Sequence, residues 1–293
     1  MATTFHLSDG RVAAMVGAIV FEILLPLGLA GLVRRRLGAS WRVFGAGALI
    51  FLLFQVITRV PAVTLLGAVL ADSLQGSPAL QLLWGGGLAL TAGLCEEGGR
   101  YLGYRWLLGK EEKTWRLAVM YGLGHGGLES MLLIAGSTLI TLASLLSLAA
   151  VGLESIPPVQ RVQVAQQLAD LSATPDWTPL VGAWERIWVL ASQVALSVIV
   201  LQVFRRGRRA WLALAIGLHA LLDFAAPVAV PLLHLDPGTS TLLGEGLITL
   251  FGLAGLGIIW ALRDPPAPAA GTGAPALPAP LPAGPPAPQR PEH

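Results

Sequence analysis

Residues 79–108 read ALQLLWGGGLALTAGLCEEGGRYLGYRWLL. The run exceeds the roughly 20 mostly apolar residues that a helix needs to cross a bilayer. It carries no Asp, Glu, Lys or Arg from Ala79 to Cys95, then places Glu96, Glu97 and Arg100 within five residues. A helix in lipid satisfies its own backbone, but an ionisable side chain there costs at least a few kcal/mol. A stretch apolar enough to span, yet charged in its interior, predicts a membrane helix whose charges serve a function.

The rest of the chain has the same character. Of its 293 residues, 54% are hydrophobic and 12% charged, and the mean hydropathy is +0.69. Soluble domains carry about 25% charged residues to cover a wet surface. Six further segments are long and apolar enough to span, giving seven in all: 11–33, 43–70, 79–108, 116–150, 180–204, 210–232 and 241–262. The expected fold is therefore an all-α polytopic helix bundle in the cell membrane. Basic residues alternate between loops. Arg34, Arg35, Arg36 and Arg42 follow the first span, Lys110, Lys113 and Arg116 the third, and Arg205, Arg206, Arg208 and Arg209 the fifth. The intervening loops hold little Lys or Arg besides Arg161, so the positive-inside rule predicts an outer N-terminus and a cytoplasmic C-terminus. The clusters fit that rule better than a nucleic-acid footprint, and no nucleic-acid partner is expected.

Two segments fall outside the spans. Residues 152–179 hold Glu154, Arg161, Asp170, Asp176 and several prolines, and Val159 to Leu171 suits a short amphipathic helix on the outer surface. After Arg263 the chain turns Pro/Ala-rich and cannot bury a core. The expected organisation is a membrane-embedded helical domain over 1–263 and a disordered cytoplasmic tail over 264–293. A single cysteine excludes an intramolecular disulfide framework and a cysteine-rich zinc site. The first apolar run has neither a basic n-region nor a clear cleavage site, so it is expected to stay as the first span.

Three spans carry ionisable residues in pairs: Glu96, Glu97 and Arg100 on the third, His125 and Glu129 on the fourth, His219 and Asp223 on the sixth. Glu96 and Arg100, His125 and Glu129, and His219 and Asp223 are each four residues apart, hence on one helix face. Depth ties the three helices together. Counted inward from the basic flanks at 1.5 Å per residue, Glu96 lies about 18 Å deep, His125 about 14 Å and His219 about 15 Å. Helices running in opposite directions thus deliver their groups to one layer, with Glu129 and Asp223 a turn deeper and Arg100 a turn shallower. A lone histidine in a span serves helix–helix hydrogen bonding as readily as chemistry, but two at matched depth beside a Glu pair favour a site. Arg100 can neutralise one glutamate and leave the other as a base, and helical geometry alone does not say which. Gly98, Gly99 and Gly103, and Gly122, Gly124, Gly126 and Gly127, suit close packing around these groups. Glu22, about 17 Å in, stands near the same layer without a supporting neighbour. Arg59, Glu185 and Arg186 lie nearer the outer side, where snorkelling or an ion pair accounts for them. Cys95 suits packing better than nucleophilic chemistry, and His6 and His234 fall in solvated flanks.

A glutamate that activates water, with histidines to orient it and stabilise an oxyanion, suits peptide hydrolysis. The same set can bind a divalent metal such as zinc, His125 and His219 being the leading ligands. No His-Glu-x-x-His, Gly-x-Ser-Gly or Gly-x-Gly-Asp segment is present. EEGGRYLGYRWLL, YGLGHGGLES and HALLDF, in that order over roughly residues 90–225, resemble the membrane motifs of the YhfC-like intramembrane peptidases. That family is similar to the CAAX-protease and bacteriocin-processing superfamily. The resemblance implies that Glu96 and His125 activate water, that His219 and Asp223 bind or polarise the scissile carbonyl, and that Arg100 supports the Glu pair. It leaves both a metal-dependent and a metal-free glutamate mechanism open. One departure stands out: the superfamily has three residues between Glu-Glu and Arg, whereas here only Gly98 and Gly99 intervene. This turns Arg100 by about 100° around the helix and leaves the Glu96/Glu97 assignment open.

The reading is an intramembrane endopeptidase that acts on a membrane-associated peptide or protein and is surrounded by membrane lipid. Its site is expected to open toward the cytoplasmic half of the bilayer. A proton- or solute-coupled transporter is the rival, since His and carboxylates also build proton relays, and a non-catalytic membrane scaffold is a third. No inverted repeat of the kind transporters often show is visible.

Overall fold

The computed structural model describes residues 5–264, which are helical with no strand among them. The tail over 264–293 lies outside the described residues apart from Asp264. Among the described residues, seven helices are long and apolar enough to cross a membrane: α1 Asp9–Leu37, α2 Trp41–Gln75, α3 Pro78–Leu107, α4 Trp115–Val151, α6 Pro179–Arg206, α7 Ala210–Leu233 and α8 Pro237–Ala261. The short α5, Pro158–Ala173, stands between α4 and α6. All seven expected spans are present, and α2 runs several residues beyond its expected apolar segment.

Local chemistry sets the ends. Ser8, Ser40, Ser77, Thr114 and Asp236 accept hydrogen bonds from the first free backbone N–H groups of α1, α2, α3, α4 and α8. Arg34, Arg35 and Arg36 crowd the last turn of α1, where the carbonyl end of the helix dipole favours cations. Inside α1, Pro26 cannot donate to the carbonyl of Glu22. Ser130 on α4 donates its hydroxyl there instead, at 2.9 Å, and so ties the two helices.

α6 is the axis of the bundle. Most of its apolar window, 78%, is buried, against at most 28% for any other span. The others therefore keep broad lipid-facing surfaces, with Leu65, Val69, Ile140 and Leu242 among the exposed apolar residues. α6 packs on α1, α4, α7 and α8, α2 crosses α4, and α3 runs along α7. The largest core lies toward the basic loops. There Tyr104, Leu108, Met120, Tyr121, Ile199 and Leu201 are sealed, and Tyr104 packs against Tyr121 with centroids 4.6 Å apart. A smaller cluster at the other end joins Leu7, Met15, Leu142 and Leu145 to Leu168 of α5. One face of α5 is thus packed, while Val159 and Val162 on it stay exposed.

Close glycine contacts help set the helix spacing, two of them beside the polar layer. A Cβ on Gly124 of α4 would run into the backbone carbonyl of Phe44 on α2. A Cβ on Gly93 of α3 would stand 2.7 Å from the carbonyl oxygen of Ile216 on α7. Gly98 differs from the other glycines near the Glu pair, because nothing lies within 4 Å of the position its Cβ would take. Four helices also widen into π-helical turns, at Leu52–Arg59, Gly103–Leu107, Glu129–Ala135 and Ala225–Ala229. Such turns cost hydrogen-bond quality and concentrate where side chains must be re-aimed.

Candidate active site

The close approach at Gly93 brings α3 against α7 one turn before the Glu pair. The crossing at Gly124 does the same for α2 and α4 beside His125. Between them the third, fourth and seventh helices deliver their polar groups to one place. His125 Nε2 lies 3.0 Å from Glu96 Oε2. His219 Nδ1 lies 2.7 Å from Glu97 Oε1, and its Nε2 faces Glu96 Oε2 at 3.8 Å and Asp223 Oδ2 at 3.6 Å. Glu96, Glu97, Arg100, His125 and His219 are all buried, none more than 3% exposed.

The pair of glutamates is divided by its neighbours. Arg100 donates one guanidinium nitrogen to Glu97 Oε1, three residues back along the helix. Its other terminal nitrogen goes to Gln193 Oε1 on α6. Glu97 thus holds a buried cation and one imidazole. Glu96, about 100° away around α3, faces the opposite imidazole and open space. Because His219 gives Nδ1 to Glu97, its Nε2 is turned toward Glu96 and Asp223. Phe51 closes the back of the site, its ring edge-on to His125 with centroids 5.1 Å apart. Glu97 Oε2, Arg100 Nε and His125 Nδ1 are buried with no hydrogen-bond partner among the described residues. Unsatisfied groups of that kind are rare in ordinary cores and concentrate where a site does chemistry.

A cavity of about 700 Å³ begins at Glu96 and His219. Its wall includes Gln55, Arg59, Glu129, Arg186, Asp223 and Glu245. Three of the four π-helical turns contribute to it, through Gln55 and Arg59, Glu129 and Leu133, and Ala226 to Val228. On α3 and α7 the lining residues run away from the basic loops, from Glu96 back to Gly85 and from His219 on to Val228. This corrects the expectation of an opening toward the basic-loop, cytoplasmic half. The tyrosine-rich core fills that side, so the space lies toward the opposite end of the bundle.

The remaining candidates separate. Asp223 reaches the site, its side chain 37% exposed into the cavity. Glu129 does not touch His125. It accepts from Arg186 Nη1 at 3.0 Å and from Gln193 Nε2 at 2.6 Å, while Arg186 also pairs with Glu185. Glu22 is buried, but no hydrogen bond or ion pair joins its carboxyl to the site among the described residues. Cys95 is half-buried and does not line the cavity, and His6 and His234 are exposed. Sequence reading missed Gln193, Gln55 and Glu245, and it gave Arg59, Glu185 and Arg186 only generic roles. A neutral Gln in an apolar span carries no charge signal. What marks Gln193 is its place on the most buried helix, where an amide must find partners.

The residues also bear on a metal. Two imidazoles and neighbouring carboxylates are the donor types that zinc selects. Yet no group of three or more His, Cys, Asp or Glu among the described residues is arranged to hold a metal ion. His125 Nε2 is engaged by Glu96, whereas His219 turns Nδ1 to Glu97 and leaves Nε2 without a close partner. As folded, the described residues bring no three such ligands into a metal-binding arrangement, and no step below is routed through a metal.

Seven membrane-spanning helices around a buried Glu–His centre that opens on an internal cavity define a multi-pass membrane protein with an intramembrane polar site. The chain belongs to the YhfC intramembrane metalloprotease family, whose model matches residues 21–232. It is 35% identical over 219 residues to the membrane protein YhfC of Bacillus subtilis (strain 168), itself uncharacterized, covering 73% of this chain and 82% of that protein. No solved structure matches the chain. The matched region contains the whole Glu–His centre and stops before α8, which completes the cavity wall with Thr241, Gly244, Glu245 and Ile248.

Proposed function

We propose that this protein is an intramembrane endopeptidase in which Glu96 activates water against the backbone of a membrane-associated peptide or protein. The observation that carries the reading is the position of Glu96. Its carboxylate lies 3.0 Å from one histidine and 3.8 Å from the other, at the inner end of a cavity of about 700 Å³. A peptide threaded into that cavity brings its carbonyl up to the face that Glu96, His219 and Asp223 present. Glu96 takes a proton from water, and the resulting hydroxide adds to the carbonyl carbon. His219 Nε2 and the Asp223 carboxyl, if protonated, are the groups placed to donate to the oxyanion. Glu96 then returns the proton to the amide nitrogen as the C–N bond breaks, releasing an acid and an amine. His125 orients Glu96 from behind, and Glu97 with Arg100 fixes the ring of His219.

The family's description adds a metal to this scheme, which gives the test two arms. Purified protein in detergent, offered a library of apolar peptides, is expected to cleave, and Glu96→Ala and His125→Ala are expected to abolish cleavage with the helical circular dichroism retained. Full cleavage by both variants would sink the mechanism, and solute or proton flux in liposomes without cleavage would favour a transporter. Dialysis against a chelator is expected to leave the rate unchanged. Loss of activity restored by zinc would instead assign His125 and His219 to a metal.

A further inference from the structure

Two clusters of charged groups at the inner end of the cavity are joined by one side chain. Glu96, Glu97, Arg100, His125 and His219 make the first. Glu129, Arg186 and Glu185 make the second, on the cavity wall. Gln193 of α6, 4% exposed, stands between them. Its Oε1 accepts from Arg100 and its Nε2 donates to Glu129 Oε2 at 2.6 Å. Only this orientation of the amide suits both neighbours, because the reverse would set NH₂ against a guanidinium and oxygen against a carboxylate. The backbone fixes the position too: a Cβ on Gly126 of α4 would stand 2.7 Å from Gln193 Cβ.

Arg100 needs such a partner. Glu96 and Glu97 lie four and three residues before it, and both spacings put a carboxylate within reach of the guanidinium. A fork holding Glu97 with one nitrogen and nothing with the other is free to turn to Glu96. That would pair the glutamate that has to remain a base. Gln193 occupies the second nitrogen with a neutral oxygen. Its amide nitrogen donates to Glu129, the carboxylate that Arg186 holds on the cavity wall.

We infer that Gln193 is a positioning residue that commits Arg100 to Glu97 and thereby keeps Glu96 free of the guanidinium and reactive. The inference rests on the peptidase reading above. Gln193 also lines the cavity, so the test separates turnover from binding. Gln193→Leu is expected to lower kcat by about 10–100-fold, because misplacing a reacting group by about 1 Å can cost about 100-fold, with KM within about threefold. A purely structural role would lower the folded fraction and leave the turnover of folded molecules alone. The second variant is an exchange. Gln193→Glu and Glu129→Gln should each be impaired, whereas the double variant should recover most of kcat. In it the carboxylate at 193 accepts from Arg100 and from the amide at 129, whose oxygen accepts from Arg186. If Gln193→Leu does not fold, the exchange decides alone. Wild-type kcat in Gln193→Leu, or an exchange no better than its worse single variant, overturns the inference and leaves the peptidase standing. A wild type that cleaves none of the peptides overturns both.

Discussion

Glu96 and Glu97 are adjacent and chemically identical, yet their surroundings give them different work. Glu97 is fully buried against Arg100 and His219, while Glu96 meets His125 and the cavity. Removing one partner of a buried ion pair strands the other charge and costs about 3–5 kcal/mol. Glu97→Gln is therefore expected to lower the thermal midpoint markedly as well as activity. Glu96→Gln removes no counter-ion of a buried arginine. It should abolish turnover and leave the midpoint within a few degrees of wild type. Thermal unfolding in detergent beside peptide turnover checks the pair, and equal destabilisation by the two would contradict the division of roles. The sequence held this asymmetry only in part. Arg100 stands at a reachable spacing from both glutamates, and the choice came from Gln193, which lies 93 residues further along the chain.

At the scale of elements, the site depends on how closely helices approach. Lipid supplies no hydrophobic drive between spans, so contact rests on packing and on residues small enough to permit it. Gly124 is such a residue, with the Phe44 carbonyl where its Cβ would be. Gly124→Ala is expected to cost about 1–3 kcal/mol by overpacking and to move α2 from α4 beside His125, lowering the midpoint and turnover together. Gly98→Ala, with open space around it, should hold the midpoint or raise it slightly. Similar behaviour in the two variants would argue that helix propensity, not helix spacing, governs. The π-helical turns belong to this scale as well. Those in α2, α4 and α7 aim Arg59, Glu129 and the residues after Asp223 at the cavity, a consequence of hydrogen-bond register that no motif announced.

For the molecule as a whole, the arrangement of charged loops makes a topological prediction. The loops after α1, α3 and α6 carry the arginines and lysines, and the cavity leads away from them. With the positive-inside rule, the cavity is predicted to open toward the outer half of the bilayer, the side from which a substrate of the proposed peptidase would enter. In a Cys95→Ser background, Ser77→Cys should react with a membrane-impermeant thiol reagent in intact cells. Ser40→Cys should react only after permeabilisation. The reverse pattern would invert the orientation and put the cavity on the cytoplasmic side.

The sequence by itself determined the seven spans, their basic loops and a common depth for Glu96, His125 and His219. These follow from one-dimensional quantities: apolar length, charge placement and a rise of 1.5 Å per residue. It could not determine rotation about each helix axis, because neighbours in lipid, not hydropathy, set which face turns inward. Only the tertiary structure could decide that Arg100 holds Glu97, that Glu129 belongs to Arg186 and Gln193, and that the tyrosine core closes the basic side. The polar layer on residues 79–108 was legible from the start. What stands on each side of it depended on helices brought together from the whole chain.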